Sequence, residues 1–184
     1  MLLSGTERNA QYVFPHGIHG TGKSGKKRAA WIRNEPMNQE NIKKRPVFFV
    51  PVEPRFADTD ANAHVYFGNY LTYFDMALLE YFKAVGFSFS WFVENGMNIY
   101  YAEALTRFRA SAVYGDILHV HAGVSSFGNT SFTSNFLIFD KKTDRFLNSG
   151  HIVSVVINNK TGKPIPVPRE FKNAVIKFER DEIR

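Results

Sequence analysis

Two carboxylates, Asp58 and Asp60, stand two residues apart in a polar, turn-like stretch that runs to His64. From Val65 to Val85 the pattern changes. Tyr66, Tyr70, Phe74, Leu78, Tyr81 and Val85 recur at spacings of three or four, the period of one helix face. The stretch therefore puts carboxylates just before a helix N-terminus. The first N–H groups of a helix lack intrahelical acceptors and lie at the positive end of its dipole. They can hold an anion or polarise a carbonyl oxygen. A carboxylate beside them can attack that carbonyl or activate water. These are the parts of an acyl-transfer site made without Ser or Cys, and the chain has no cysteine. The same residues have a structural use: Asp before a helix commonly caps it or closes an Asx-turn. Residue type and spacing leave both uses open.

The surrounding pattern says what would position such a loop. Val47–Phe56 is β-branched and aromatic, is bounded by Pro, and reads as a strand. The helix follows, with Gly86 as its stop, then a short helix over Phe87–Asn95 ending at Gly96. Strands are expected over Asn98–Val113, Ile117–Ser126, Ser131–Asp140 and Phe146–Asn158. Turns at Gly115-Asp116, Phe127–Thr130 and Lys141–Asp144 separate them, and Pro164–Pro168 is an extended exit. One long helix with about five antiparallel strands is an α+β arrangement. The helix buries one apolar face on the sheet. Its remaining aromatics and any open sheet edge favour self-association.

Residues Asp58-Thr59-Asp60-Ala61, Val65-Tyr66, Asn69-Tyr70-Leu71 and Phe74-Asp75, together, resemble the signature of the 4-hydroxybenzoyl-CoA thioesterase family. Gly115-Asp116 and Thr161-Gly162-Lys163-Pro164 are similar to later parts of it, so the resemblance spans roughly Pro46 to Pro168. It implies the hot-dog fold, a long central helix wrapped by a curved antiparallel sheet. It also implies a homodimer or homotetramer acting on an acyl-CoA, with no cofactor. By the same resemblance Asp60 is the catalytic carboxylate, as nucleophile or general base, and the backbone N–H groups of Phe67 and Gly68 polarise the thioester carbonyl. Asn62, His64, Tyr66, Asn69 and Tyr70 would border the substrate, and Asp58 would order the loop. The chain departs from the pattern at two points. Asn62-Ala63-His64 stands where many relatives have two glycines, and Phe67 stands where many have His. Arg107, Arg109, Lys141 and Lys142 are the cations available for the CoA phosphates. An enoyl-CoA hydratase pairing Asp60 with His64, or an acyl-CoA-binding module without turnover, would use the same fold.

Composition narrows the rest. Residues 1–36 hold six Lys/Arg against two Asp/Glu, whereas residues 37–184 hold seventeen against fifteen. The basic balance thus belongs largely to the N-terminal stretch, and nucleic-acid binding is not expected of the remainder. Residues 1–45 show no sustained period and read as a loosely packed extension before a domain at 46–184. Met37, at a sharp change of composition, reads as a natural start. Gly17–Ser24 fits the P-loop pattern but lacks the strand before it and the helix after it. His119, His121 and His151 are read as structural or exposed rather than as metal ligands. No apolar run approaches the ~20 residues that cross a bilayer, so no membrane partner is expected. The absence of cysteine fits a reducing cytoplasm, and Met1–Gly5 lacks the charge and apolar stretch of a signal peptide, so a cytoplasmic setting is expected.

Overall fold

The computed structural model describes residues 45–181. The expectations for residues 1–44, including the P-loop-like string, lie outside them. Five strands, β1 (Phe49–Val52), β2 (Met97–Phe108), β3 (Leu118–Phe127), β4 (Ser131–Asp140) and β5 (Phe146–Asn158), form one sheet in the order β1-β3-β4-β5-β2. Every neighbouring pair is antiparallel. Helix α1 (Asn69–Ala84) lies on one face, followed by the short α2 (Phe89–Glu94); α3 (Arg169–Asp181) closes the described chain.

The core lies between α1 and the sheet. Phe74, Ala77, Leu78 and Tyr81 of α1 are fully buried, as are Val120, Ala122 and Ile138 opposite them. The Phe74 and Phe136 rings stack at 4.5 Å with their planes 14° apart. That contact needs Gly150, because a Cβ there would stand 2.4 Å from Phe74 Cε2 and 2.2 Å from the Leu105 carbonyl oxygen.

Strands β4 and β5 run over the residues expected of them. Other elements differ for identifiable reasons. The first strand is four residues long, not ten. Pro51 has no N–H to donate, and Pro54 is buried just beyond its end. Helix α1 begins at Asn69 rather than Val65, because Val65 is spent on β-type pairing, bridging Thr59 and donating its N–H to the Ala112 carbonyl. Strand β2 ends at Phe108, where the N–H groups of Arg109 and Ala110 both donate to the Leu147 carbonyl and break the ladder. Helix α3 was not expected. Phe171, Val175 and Phe178, four and three apart, carried its signal. Phe171 is fully buried against Phe82, Phe92 and Phe132.

Candidate active site

The segment between β1 and α1 is organised by Asp58. A single 3-10 turn, Phe56–Asp58, brings its carboxylate back onto Arg55. One or other oxygen accepts from the Arg55 backbone N–H at 2.9 Å, Nε at 3.1 Å and Nη2 at 2.7 Å, and from the Tyr73 hydroxyl at 3.2 Å. Its carbonyl accepts the Tyr66 N–H at 2.8 Å and Asn69 Nδ2 at 2.9 Å. Asp58 is buried, and the Arg55 hydrogen bonds hold its carboxyl below the usual carboxylate range. Burial, reinforced by the same carboxylate, raises the Tyr73 phenol. One residue thus ties the turn before it to the first two turns of α1.

Asp58→Asn keeps the shape but removes the charge that Arg55 and Tyr73 bind. The expected cost is about 1–3 kcal/mol, read as a lowered Tm by circular dichroism. Because the folded pKa is depressed, the wild-type contribution is present above the unfolded Asp value of about 3.9 and is lost as pH falls below it. The Tm difference between the two proteins should shrink in acid.

Asp60 opens a tight hairpin. Thr59 and Val65 pair, the Asp60 N–H donates to the His64 carbonyl at 2.8 Å, and the Ala63 N–H donates to the Asp60 carbonyl at 2.9 Å. Ala63 has φ 59°, the left-handed conformation that commonly ends a three-residue hairpin loop. An Ala there is strained by roughly 1 kcal/mol, which a Gly avoids. Ala63→Gly is therefore expected to raise Tm by about 2 °C in a thermal melt.

The Asp60 carboxylate is divided in its use. Oδ1 accepts the Asn62 N–H at 2.8 Å, an Asx-turn, while Oδ2 accepts nothing among the described residues. The residue is half-buried. The structural use weighed from sequence is thus real, and it leaves one oxygen unspent. Asn62 and His64 sit exposed on the same loop. The His64 backbone bridges Val113, anchoring the hairpin to the β2–β3 connection.

At the start of α1, the N–H groups of Phe67 and Gly68 donate to no acceptor among the described residues. Tyr66 and Phe67 are 46% and 62% exposed, with rings 4.5 Å apart, so this helix end opens to solvent between aromatic side chains. A Cβ on Gly68 would meet Tyr66 Cε1 at 2.8 Å, so the exposed Tyr66 ring would have to move to admit one. Asn69 and Tyr70 face inward instead. Asn69 holds the Asp58 carbonyl, and the Tyr70 hydroxyl, in a buried ring, accepts the Ala112 N–H at 3.0 Å. Their polar atoms hold the loops around the site, a role that sequence spacing did not suggest.

Arg55 and Tyr73 are the residues that sequence reasoning missed. Arg55 carried a signal in its three-residue spacing to Asp58, whereas Tyr73 read only as helix interior. The Asp75 carboxylate accepts the Tyr101 hydroxyl at 2.5 Å, joining α1 to β2. Burial and that carboxylate raise the Tyr101 phenol. Among the cations, Arg107 is half-buried, while Arg109, Lys141 and Lys142 are exposed. His151 pairs with Glu103 at 2.6 Å, and no group of three metal-ligating side chains occurs among the described residues. No described helix is long and apolar enough to cross a membrane.

The model of the thioesterase-like superfamily matches residues 54–175, from the turn before Asp58 into α3. The chain belongs to that superfamily. It is a thioester hydrolase with the hot-dog fold. A curated relative from Aquifex aeolicus described as a putative esterase is 26% identical over 116 residues, covering 63% of this chain and 88% of that protein. Among solved structures, the DHNA-CoA thioesterase from Staphylococcus aureus superposes with a TM-score of 0.67 at 25% identity, over 74% of this chain and 94% of that one. A 1,4-dihydroxy-2-naphthoyl-CoA thioesterase from Synechocystis has the same fold, with a TM-score of 0.67 at 22% identity, over 72% of this chain and 97% of that one. The match covers the hairpin, α1 and all but the first strand.

Proposed function

We propose that this thioesterase hydrolyses acyl-CoA thioesters to the free acid and CoA, with Asp60 as the reacting carboxylate. The observation that carries the reading is the divided Asp60 carboxylate. Oδ1 is pinned by the Asn62 N–H and Oδ2 is unspent, a few residues before a helix end whose N–H groups are also unspent. Oδ2 takes a proton from water as its oxygen adds to the thioester carbon, or itself adds to that carbon. The Phe67 and Gly68 N–H groups accommodate the oxyanion. When it collapses, the C–S bond breaks and CoA leaves as thiolate. In the first route the proton held by Asp60 restores the thiol. In the second, water cleaves the resulting anhydride and regenerates Asp60. Asn62, His64 and Tyr66 border the acyl thioester on the exposed side of the loop.

A second copy of the chain is proposed as the partner. β2 is a twelve-residue edge strand, and Tyr100, Tyr101 and Phe108 on it are 59%, 44% and 47% exposed. An open edge with exposed aromatic rings is a surface that proteins usually cover. The proposed setting is the cytoplasm.

The test is thiol release, followed with a thiol-reactive dye, from acyl-CoAs that vary in chain length and aromaticity. Turnover of at least one member is expected, and the panel ranks the acyl groups. Crotonyl-CoA is included because hydration without thiol release would point to the hydratase chemistry instead. Intact binding of every ester without turnover would point to a binding module.

A further inference from the structure

The hairpin that carries Asp60 is held at its base by Asp58 and along one side by the β2–β3 connection. On that side the Val65 N–H donates to the Ala112 carbonyl at 2.8 Å, and the His64 backbone bridges Val113. The Phe56 and Tyr114 rings add an edge-to-face contact at 6.0 Å. Among the described residues no other hydrogen bond joins residues 59–65 to anything outside the β1–α1 segment. Where the connection stands therefore decides where the side of the hairpin stands.

The connection lies outside the sheet ladder, so side chains must fix it. Arg145, in the β4–β5 turn, donates from Nη2 to the Ser111 carbonyl at 3.2 Å. The Tyr70 hydroxyl, from the second residue of α1, accepts the Ala112 N–H at 3.0 Å. Asp116 Oδ2 accepts the Val113 N–H at 2.9 Å, and the Asp116 N–H returns to the Val113 carbonyl at 3.3 Å. That doubly closed turn holds Gly115 at φ 91°, which accounts for the Gly115-Asp116 pair in the sequence. Tyr70, Val65 and Ala112 are all buried, so water does not readily replace the phenol at the Ala112 N–H.

We propose that Tyr70 and Asp116 are positioning residues for hydrolysis: together they fix the backbone of residues 112 and 113, which sets where the Asp60 hairpin stands relative to the start of α1. The proposal rests on Asp60 as the reacting carboxylate. Tyr70 follows the open Phe67 and Gly68 N–H groups by two residues. One helix end thus presents the groups that receive the oxyanion and, through Ala112 and Val65, locates the carboxylate that must reach the same carbon. A relative displacement of about 1 Å between such groups can cost about a hundredfold in rate.

Tyr70→Phe removes one oxygen and keeps the buried ring. Its kcat for thiol release should fall about ten- to a hundredfold, with KM within about twofold of wild type. By NMR on the full chain, exchange of the Val65 amide should speed up about tenfold or more relative to Ile138 in β4. Asp116→Ala should lower kcat in the same way, and Asp116→Asn, which keeps an acceptor oxygen for Val113, should restore it. In an Asp60→Asn background Tyr70→Phe should cost less than about threefold more, because no carboxylate is left to position. A folded Tyr70→Phe with wild-type kcat or unchanged Val65 exchange would overturn the proposal, as would a full additional loss in the Asp60→Asn background. Should Tyr70→Phe not fold, equal kcat in Asp116→Ala and Asp116→Asn would overturn it. Wild-type turnover by Asp60→Asn alone would instead remove Asp60 from the chemistry, while Val65 exchange in Tyr70→Phe would still decide whether the phenol holds the hairpin.

Discussion

Gly150→Ala is expected to lower Tm by roughly 10 °C. An added Cβ would stand 2.2 Å from the Leu105 carbonyl oxygen and 2.4 Å from Phe74 Cε2. Neither neighbour gives way readily. Leu105 is held in the β2–β5 ladder, and Phe74 is fully buried and stacked on Phe136. Overpacking a core costs typically about 1–3 kcal/mol, and a backbone obstacle puts this site at or above the top of that range. The effect reaches the loop, because Phe74 is one turn below Tyr70 and seats the end of α1 whose Asn69 and Tyr73 side chains hold Asp58. A thermal melt of the purified variant checks it. A Tm within about 2 °C of wild type would mean that α1 does not sit on β5 in this way.

Asp60→Asn is expected to lower kcat/KM for thioester hydrolysis by about 10²–10⁴-fold, the range for loss of a positioned base or nucleophile. That corresponds to about 3–5 kcal/mol of transition-state stabilisation. Stability should hardly change. The Asn side-chain oxygen still accepts the Asn62 N–H, so the Asx-turn and the hairpin remain. What is lost is the basicity of Oδ2, the oxygen with no structural duty. Asp58→Asn should behave in the opposite sense, with a lower Tm and substantial activity where the protein is folded. Steady-state thiol release and circular dichroism on the two variants give both readings.

The outline of the fold was legible because its long elements carry simple periods. Ser131–Asp140 and Phe146–Asn158 are runs rich in aromatic and β-branched residues between turns rich in Gly, Asn, Lys and Asp, and they form β4 and β5 over those same residues. Errors fell where local pattern and tertiary pairing disagree. Val65 and Tyr66 fit the helical stripe, yet backbone bonds to Ala112 and Asp58 pull them into the hairpin and delay the helix to Asn69. Val47–Phe56 has the composition of a strand, but its prolines leave four residues able to pair.

The site was legible in part, and for a similar reason. The Asp-Thr-Asp string and the helix after it are local features, so the carboxylates and the open N–H groups could be placed together from sequence. Their division of labour could not. It depends on Tyr73, fifteen residues from Asp58 in the chain, and on a left-handed Ala63 that no composition rule would choose. Asn69 and Tyr70 look like pocket residues by position, and only their bonds to Asp58 and Ala112 show them turned inward.

The most direct test of the account is a single-turnover experiment, with enzyme in excess over an acyl-CoA that the wild type cleaves, comparing wild type with Asp60→Asn. Enzyme excess removes product release from the rate, and saturation removes binding. The account predicts a chemical step slowed by at least about a hundredfold in a variant with wild-type Tm. A folded Asp60→Asn that cleaves the bound thioester at the wild-type rate would contradict it, and the reacting group would have to be sought elsewhere on the loop.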